Sequence, residues 1–143
     1  MPRRWSTLVL LAFPASLAAC TGLVAGPEST ATTAVPASRD SAYARTRRAL
    51  QAESFTLDVV DSTGGHLTGT RYPSSDAKLG TSAKCRVAIA MDVQGTVQAA
   101  QVSSTSRWVA PDGMLDKAPQ VCEQERLAVL QRMKEMLVPP AAQ

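Results

Sequence analysis

The fold is decided by a ten-residue stretch in the middle of the chain, KCRVAIAMDV at residues 84–93. Every second position along it is apolar or a cysteine: Cys85, Val87, Ile89, Met91 and Val93. Successive side chains of a β-strand point to opposite faces of a sheet, so this period of two predicts a strand with one buried face. Gln94 and Gly95 then offer a tight turn, and residues 96–106 return as the next strand.

A second pair of strands precedes this one. Apolar side chains alternate along residues 55–60, the segment DSTGG at 61–65 supplies turn residues, and residues 66–72 form the returning strand. Strands joined by short connections pair in antiparallel order. The four segments therefore predict a four-stranded antiparallel meander.

A helix is expected on each side of this meander. Ser38 or Asp40 can cap a helix that runs to about Glu53, and its apolar face consists of Ala42, Tyr43, Thr46, Ala49 and Leu50. A second helix runs from about Pro119 to Leu137, with an apolar stripe that Arg126 interrupts: Cys122, Val129, Leu130, Met133, Met136 and Leu137. The predicted fold is α+β in the order α-β-β-β-β-α, with both helices across one face of the sheet.

The first residues of the chain have the pattern of a secretory signal. Arg3 and Arg4 give a positive start, residues 5–16 are mostly apolar, and small residues follow. The apolar run is shorter than the ~20 residues that a membrane-spanning helix needs, and Pro14 interrupts it. A cleaved signal peptide is therefore preferred over a retained membrane anchor.

The tetrapeptide Leu17-Ala18-Ala19-Cys20 resembles the lipobox of bacterial lipoproteins. The resemblance implies transfer of diacylglycerol to the Cys20 thiol, cleavage before Cys20 and acylation of the new amine, which together give stable membrane anchoring. A chance cysteine after an ordinary signal peptide is the alternative. In this family an Asp after the cysteine often signals inner-membrane retention in enteric bacteria. Thr21 stands there, so we expect a lipid-anchored envelope protein, on the periplasmic side of the outer membrane rather than the inner one.

The residues after this cysteine are expected to form a tether. Thr, Ala, Gly, Pro, Ser and Val predominate up to Ser38 without a period of 2 or 3.6, which predicts a disordered linker of roughly 20–25 Å root-mean-square span. The predicted organisation is a signal peptide over 1–19, the lipidated cysteine and tether over 20–38, the α+β domain over 39–138 and a tail over 139–143.

The two remaining cysteines predict a disulfide. Cys85 lies on the apolar face of its strand and Cys122 on the apolar stripe of the last helix, so both point to the same interface in an oxidising compartment. The bond would close a loop of about 38 residues and stabilise the fold by about 3–4 kcal/mol. Metal-ligand spacing and a Cys-x-x-Cys pair are absent, so we predict no metal and no cofactor.

The charge balance gives no indication of a nucleic-acid partner. The formal net charge is +3, and loss of Arg3 and Arg4 leaves 13 basic and 12 acidic residues. Arg45, Arg47 and Arg48 cluster on the first predicted helix. They either contact anionic lipid or peptidoglycan, or form an ordinary solvated helix face.

The sequence contains no recognisable catalytic arrangement. His66 is the only histidine; Ser62, Asp58 and Asp61 are near it in sequence, but no Gly-x-Ser-x-Gly elbow exists. We therefore expect a solvent-facing turn histidine and assign no catalytic residues.

Arg107 and Trp108 at the end of a strand are candidate partner contacts, because Arg and Trp are enriched at interface hot spots. For Trp108 a core position beneath the final helix is the preferred interpretation, because little other aromatic volume is available.

These observations predict a non-enzymatic envelope lipoprotein. It is attached to membrane lipid through Cys20, and its domain binds an envelope protein or supports an assembly through the exposed sheet face and hairpin tips. The alternative is a periplasmic inhibitor or ligand-binding lipoprotein, in which the loop over 73–83 enters a target's cleft. An envelope hydrolase centred on His66 is a third hypothesis.

Overall fold

The computed structural model describes residues 23–73, 84–111 and 116–139. The elements in chain order are β1 (Leu23–Ala25), β2 (Ser29–Val35), α1 (Arg39–Ala52), β3 (Phe55–Asp61), β4 (His66–Arg71), β5 (Arg86–Gly95), β6 (Ala100–Pro111) and α2 (Ala118–Leu137). The predicted signal peptide, Cys20 and residues 74–83 of the predicted inhibitory loop lie outside the described residues.

One antiparallel sheet contains all the described strands, in the order β1-β6-β5-β4-β3, with β2 also paired to β6. The predicted α+β class, with an antiparallel sheet and two helices, is confirmed. The predicted strand count is wrong, because the sheet has six strands rather than four. The meander itself is present as β3 to β6, with Arg71 paired to Val87 and Arg86 paired to Val109.

The two additional strands come from the segment that was expected to be a disordered tether. β1 pairs Leu23 with Pro111, and β2 pairs with residues 100–106 of β6 in one continuous register. The prediction of a tether over 20–38 is therefore wrong for residues 23–35. Both strands are ordered by backbone hydrogen bonds to the free edge of β6, which need no alternation of apolar residues.

The two helices pack on the same face of the sheet. In α1 the Ser38 hydroxyl accepts a hydrogen bond from the Ser41 backbone N–H at 3.2 Å, which identifies the N-cap. The buried residues of α1 are those of the predicted face: Ala42, Tyr43, Thr46, Ala49 and Leu50. The side chains of Val129 and Met133 in α2 join them against β5, where the predicted alternation holds and Val87, Ile89, Met91 and Val93 are buried.

The predicted disulfide between Cys85 and Cys122 is present, and both cysteines are completely buried. Trp108 belongs to the same buried cluster and is only 3% exposed. The preferred interpretation of Trp108 as a core residue agrees with this burial, whereas the partner contact considered beside it does not. The Gly26 N–H donates a hydrogen bond to the Trp108 carbonyl at 3.0 Å, and a Cβ at Gly26 would overlap the indole ring.

Candidate functional site

The face of the sheet opposite the helices, which we call the open face, carries polar and small side chains. The strand register aligns them in three rows across the sheet. The first row is Asp61, His66, Asp92, Ser103 and Thr32; the second is Val59, Thr68, Ala90, Thr105 and Thr30; the third is Thr56, Thr70, Ala88 and Arg107. Since most of these side chains are short, the open face has low relief.

The first row places the histidine beside a carboxylate. His66 Nδ1 lies 2.8 Å from Asp92 Oδ1, and the two side chains are 38% and 54% exposed. The Ser103 and Thr32 hydroxyls lie 3.2 Å apart further along the row. A nucleophilic triad needs the histidine in contact with both the acid and the serine. Here the register puts Asp92 between His66 and Ser103, so the row does not provide that geometry.

A shallow depression of about 200 Å³ lies over the second and third rows. Its lining consists of Glu28, Asp58, Thr68, Gly69, Thr70, Ala88, Ile89, Ala90, Thr105, Ser106 and Arg107. Threonines contribute hydroxyls on both sides of a strip formed by Ala88 and Ala90. The depression is therefore bordered by two carboxylates, one guanidinium and several hydroxyl groups.

A β-bulge positions one of these carboxylates. The pairing of β3 with β4 shifts between Leu57 and Val59, which leaves Asp58 without a partner in the register. The Thr70 hydroxyl donates a hydrogen bond to Asp58 Oδ2 at 3.0 Å. Because a bulge redirects the side chain of its extra residue, Asp58 lies at the border of the depression instead of continuing the strand alternation.

Arg107 is the cation of this site. It is exposed, and it forms no ion pair with any residue of the described ranges. Its guanidinium can donate several hydrogen bonds in one plane, whereas the carboxylates of Glu28 and Asp58 can only accept them. Side chains lining the depression can therefore form hydrogen bonds with a partner surface that presents both donors and acceptors.

A second polar cluster lies in the interior between the sheet and α2. Arg126 is 2% exposed, and its Nη1 donates a hydrogen bond to Ser106 Oγ at 2.9 Å. Its Nε and Nη2 both donate to the Glu123 carboxylate. A buried guanidinium is tolerated when its donors are satisfied in this way. Arg126 can therefore occupy the apolar stripe of α2.

The ion pairs of α2 shift the pKa values of their members. The hydrogen bond from Arg126 lowers the pKa of the Glu123 carboxyl, although partial burial opposes this, and the same hydrogen bond raises the pKa of Arg126. Hydrogen bonding to Glu53 likewise raises the pKa of Arg132. Glu123, Arg126 and Arg132 therefore stay charged at neutral pH, each in an ion pair. We therefore assign this cluster to the stability of the fold.

Metal-ligating side chains do not converge in residues 23–73, 84–111 and 116–139: no group of three or more His, Cys, Asp or Glu there could hold an ion. Neither of the helices in the described part of the chain is long and apolar enough to cross a membrane.

The structure brings some of the predicted candidates together and separates others. The His66 side chain is hydrogen-bonded to Asp92; Asp61 is its backbone register partner but makes no side-chain bond to it, and Asp58 is hydrogen-bonded to Thr70 instead. Arg107 lies on the open face of β6, with β5 and β4 between it and Asp58 on β3, while Trp108 points to the opposite side.

Sequence reasoning did not identify the open face as a set of rows. The sequence does carry a signal, since Ser103, Thr105 and Arg107 alternate with buried positions along β6, as Thr68 and Thr70 do along β4. That alternation predicts a polar face. It does not predict which polar residues are neighbours, because the neighbours depend on the register of five strands.

Comparisons with known proteins give similarity in structure only. No family model matches the chain, and no curated protein matches it in sequence. The solved structure of Ara h 8.0201 is similar with a TM-score of 0.53 and 8% identity, over 81% of this chain and 98% of that chain. A norcoclaurine synthase point mutant of Thalictrum flavum, in complex with a transition state analogue, has a TM-score of 0.49 and 10% identity, over 80% of this chain and 95% of that chain. The di-domain ARO/CYC BexL from the BE-7585A biosynthetic pathway has a TM-score of 0.44 and 14% identity, over 80% of this chain and 48% of that chain.

The matched structures indicate a helix-grip-like fold. The sequence-based prediction that the protein is not an enzyme is corrected: a norcoclaurine synthase and the di-domain ARO/CYC BexL are among the similar structures, and a fold does not by itself decide whether a protein is an enzyme. The absence of a sequence motif is thus not a sufficient reason to exclude catalysis. At these identities the similarity concerns the fold and assigns no reaction.

Proposed function

We propose that the protein is a bacterial envelope lipoprotein, anchored through acylated Cys20, whose open face binds a partner protein. The lipobox-like tetrapeptide supports the anchor, and Thr21 after it supports a position on the periplasmic side of the outer membrane rather than the inner one. The open face carries the binding part of the proposal, because its rows of short polar side chains are accessible across the whole sheet.

The dimensions of the depression favour a macromolecular partner. Small-molecule sites are enclosed clefts of about 300–1,000 Å³ that bury most of their ligand. The depression on the open face measures about 200 Å³ and is shallow. A small ligand would remain largely in water there, whereas a protein surface could cover the depression together with the flanking rows.

The charges of the site favour a partner with mixed polarity. Arg107 lies on β6, and the carboxylates of Glu28 and Asp58 border the same depression. Arginine is the charged residue that most often contributes strongly to binding at the centre of interfaces. A partner that presents a carboxylate to Arg107 and hydrogen-bond donors to the two acids would complement the site.

Site-specific crosslinking in the native envelope tests the open face. A photoreactive benzoylphenylalanine replaces Thr68 on the open face and, as the matched control, Leu127 of α2, which is 51% exposed on the helical side. We expect a discrete protein adduct from position 68 and none of the same mass from position 127. Equal adducts from both positions, or none from position 68, would contradict the proposal.

A blocking substitution sharpens this test. Ala90→Arg places a long cation on the strip of the depression, and Leu127→Arg adds the same side chain on the helical side. We expect Ala90→Arg to reduce the adduct from position 68 at least tenfold, and Leu127→Arg to leave it within twofold. The mass of the mature amino terminus, measured on wild type and Cys20→Ser, tests the anchor separately.

A further inference from the structure

The chain enters the domain almost immediately after the proposed anchor. Leu23 begins β1, and only Thr21 and Gly22 separate it from Cys20. Three residue steps reach at most about 11 Å. A tether of eighteen residues would have allowed the domain to turn freely above the membrane, but this connection holds β1 close to the level of the lipid headgroups.

The register identifies which end of the sheet this connection holds. Leu23 pairs with Pro111 at the end of β6, and Val109 pairs with Arg86 at the start of β5. The helix α2 starts at Ala118, shortly after β6 ends. We call this the entry end of the sheet. The turn at Val97 between β5 and β6 lies at the opposite end, about 30 Å away along β5.

The entry end exposes cations together with amphipathic side chains. Lys84 and Lys117 are exposed, and the Arg86 guanidinium lies 5.1 Å from the centre of the Tyr72 ring. Tyr72 is 50% exposed and Leu23 is 55% exposed. Aromatic rings with a polar tip, beside Lys and Arg, are the side chains that occupy the interface between lipid and water.

The acidic residues that the structure describes near this end do not cancel this charge. Asp116 is exposed beside Lys117, whereas the Glu125 carboxylate is held by Arg71 at 3.2 Å and accepts from the Lys84 backbone N–H at 3.1 Å. Glu123 is likewise paired with Arg126. The exposed ionised groups described at this end are therefore mainly positive.

We propose that the entry end of the sheet docks against an anionic phospholipid bilayer, so that the domain stands on its end and the open face stays accessible. The inference rests on the proposed anchor at Cys20. The arginines of α1 offer a competing surface, since Arg47 and Arg48 are exposed on the helical side. The entry end is favoured because it is the part of the described domain that Cys20 must lie near.

The test attaches the mature chain to vesicles chemically. Cys85 and Cys122 form the disulfide, so the Cys20 thiol can be coupled to a maleimide lipid without any bacterial modification. Benzoylphenylalanine is placed at Tyr72 or, as the control at the far end, at Val97, which is 85% exposed. After illumination in vesicles of phosphatidylcholine and phosphatidylglycerol, mass spectrometry measures the lipid adducts. We expect adducts at position 72 to exceed those at position 97 at least fivefold; equal yields, or an excess at 97, would overturn the docking.

Charge reversal identifies the cations involved. Lys84→Glu with Lys117→Glu changes the entry end, and Arg47→Glu with Arg48→Glu changes α1 by the same charge. We expect the first pair to lower the yield of lipid adduct at position 72 at least about fivefold, because each basic residue near an anionic surface contributes about fivefold in membrane affinity. The second pair should leave the yield within twofold of the wild-type value. A larger loss from the α1 pair would overturn the proposal in favour of the helical side.

Failure of this docking is distinguishable from failure of the proposed function. Chemical coupling supplies the anchor in the vesicle experiment, so its outcome does not depend on whether the cell acylates Cys20. A mature protein without fatty acid would refute the natural anchor, while the adduct yields would still report which end faces the bilayer when Cys20 is held there.

Discussion

The edge formed by β1 and β2 and the meander from β3 to β6 belong to one sheet, but they are specified in different ways. β5 buries a side chain at every second position from Val87 to Val93. Along β2 only Val35 is buried, and the strand is otherwise Ser, Thr and Ala. The meander strands are held by apolar contacts with the helices, whereas the edge is held by backbone pairing with β6 and by a few specific contacts at its ends.

This difference shows what a period of two can and cannot detect. Alternation appears when one face of a strand is continuously buried, as in β5. An edge strand such as β2 pairs its backbone N–H and C=O groups with one neighbouring strand without burying a continuous apolar face. Threonine also has a high preference for strands. A segment of Thr, Ala and Val without alternation is therefore compatible with a linker and with an edge strand.

The largest expected loss of stability comes from removing the disulfide that joins the start of β5, in the meander, to α2. Replacing Cys85 and Cys122 with alanine removes the bond between the start of β5 and α2, and alanine avoids unpaired buried hydroxyls. We expect the free energy of unfolding in urea to fall by about 3–4 kcal/mol. Cys20→Ser is the control and should change it by less than about 0.5 kcal/mol. A loss below about 1 kcal/mol would mean that the disulfide has little part in stability.

The next effect separates an ordered edge from a tether. Gly26→Ala adds a Cβ that meets the Trp108 ring, and overpacking of this kind costs about 1–3 kcal/mol. The loss should appear as faster amide hydrogen exchange in β2, with smaller changes in β4. Ala34→Val, at an exposed position of β2, is the control and should change stability by less than about 0.5 kcal/mol. An unaffected Gly26→Ala variant would support the tether.

The smallest effect concerns the hydroxyl pairs on the open face. Thr30 lies 3.0 Å from Thr105, and Thr32 lies 3.2 Å from Ser103, measured between side-chain oxygens. Thr30→Val and Thr32→Val keep the side-chain shape and remove these bonds, which should cost about 0.2–1 kcal/mol each in thermal unfolding. Thr56→Val on β3, whose hydroxyl makes no bond to another described residue, should cost less than either.

The elements that the sequence predicted well are those with periodic apolar faces. The five residues of the α1 face are the ones buried, and Cys85 and Cys122 meet as their positions on two apolar faces required. β1 and β2 could not be predicted in this way, because their order depends on the free edge of β6, which is distant in sequence.

The candidate site was less predictable than the fold. Arg107 was recognised as a candidate from its residue type, but its neighbour Trp108 points into the core, since adjacent residues of a strand face opposite sides. The bulge at Asp58 and the pairing of His66 with Asp92 depend on the register between strands. Local sequence does not contain that information.

The position of Trp108 gives the mature protein a built-in optical probe. Trp5 belongs to the predicted leader, so Trp108 would be the only indole left after processing. Its ring packs against Gly26 of the edge and shares a buried cluster with the disulfide of α2. Water reaching this ring would shift its fluorescence to longer wavelength. One emission spectrum therefore reports on the packing of both the edge and α2 against Trp108. Detachment of the edge would shift the spectrum before the rest of the sheet unfolds.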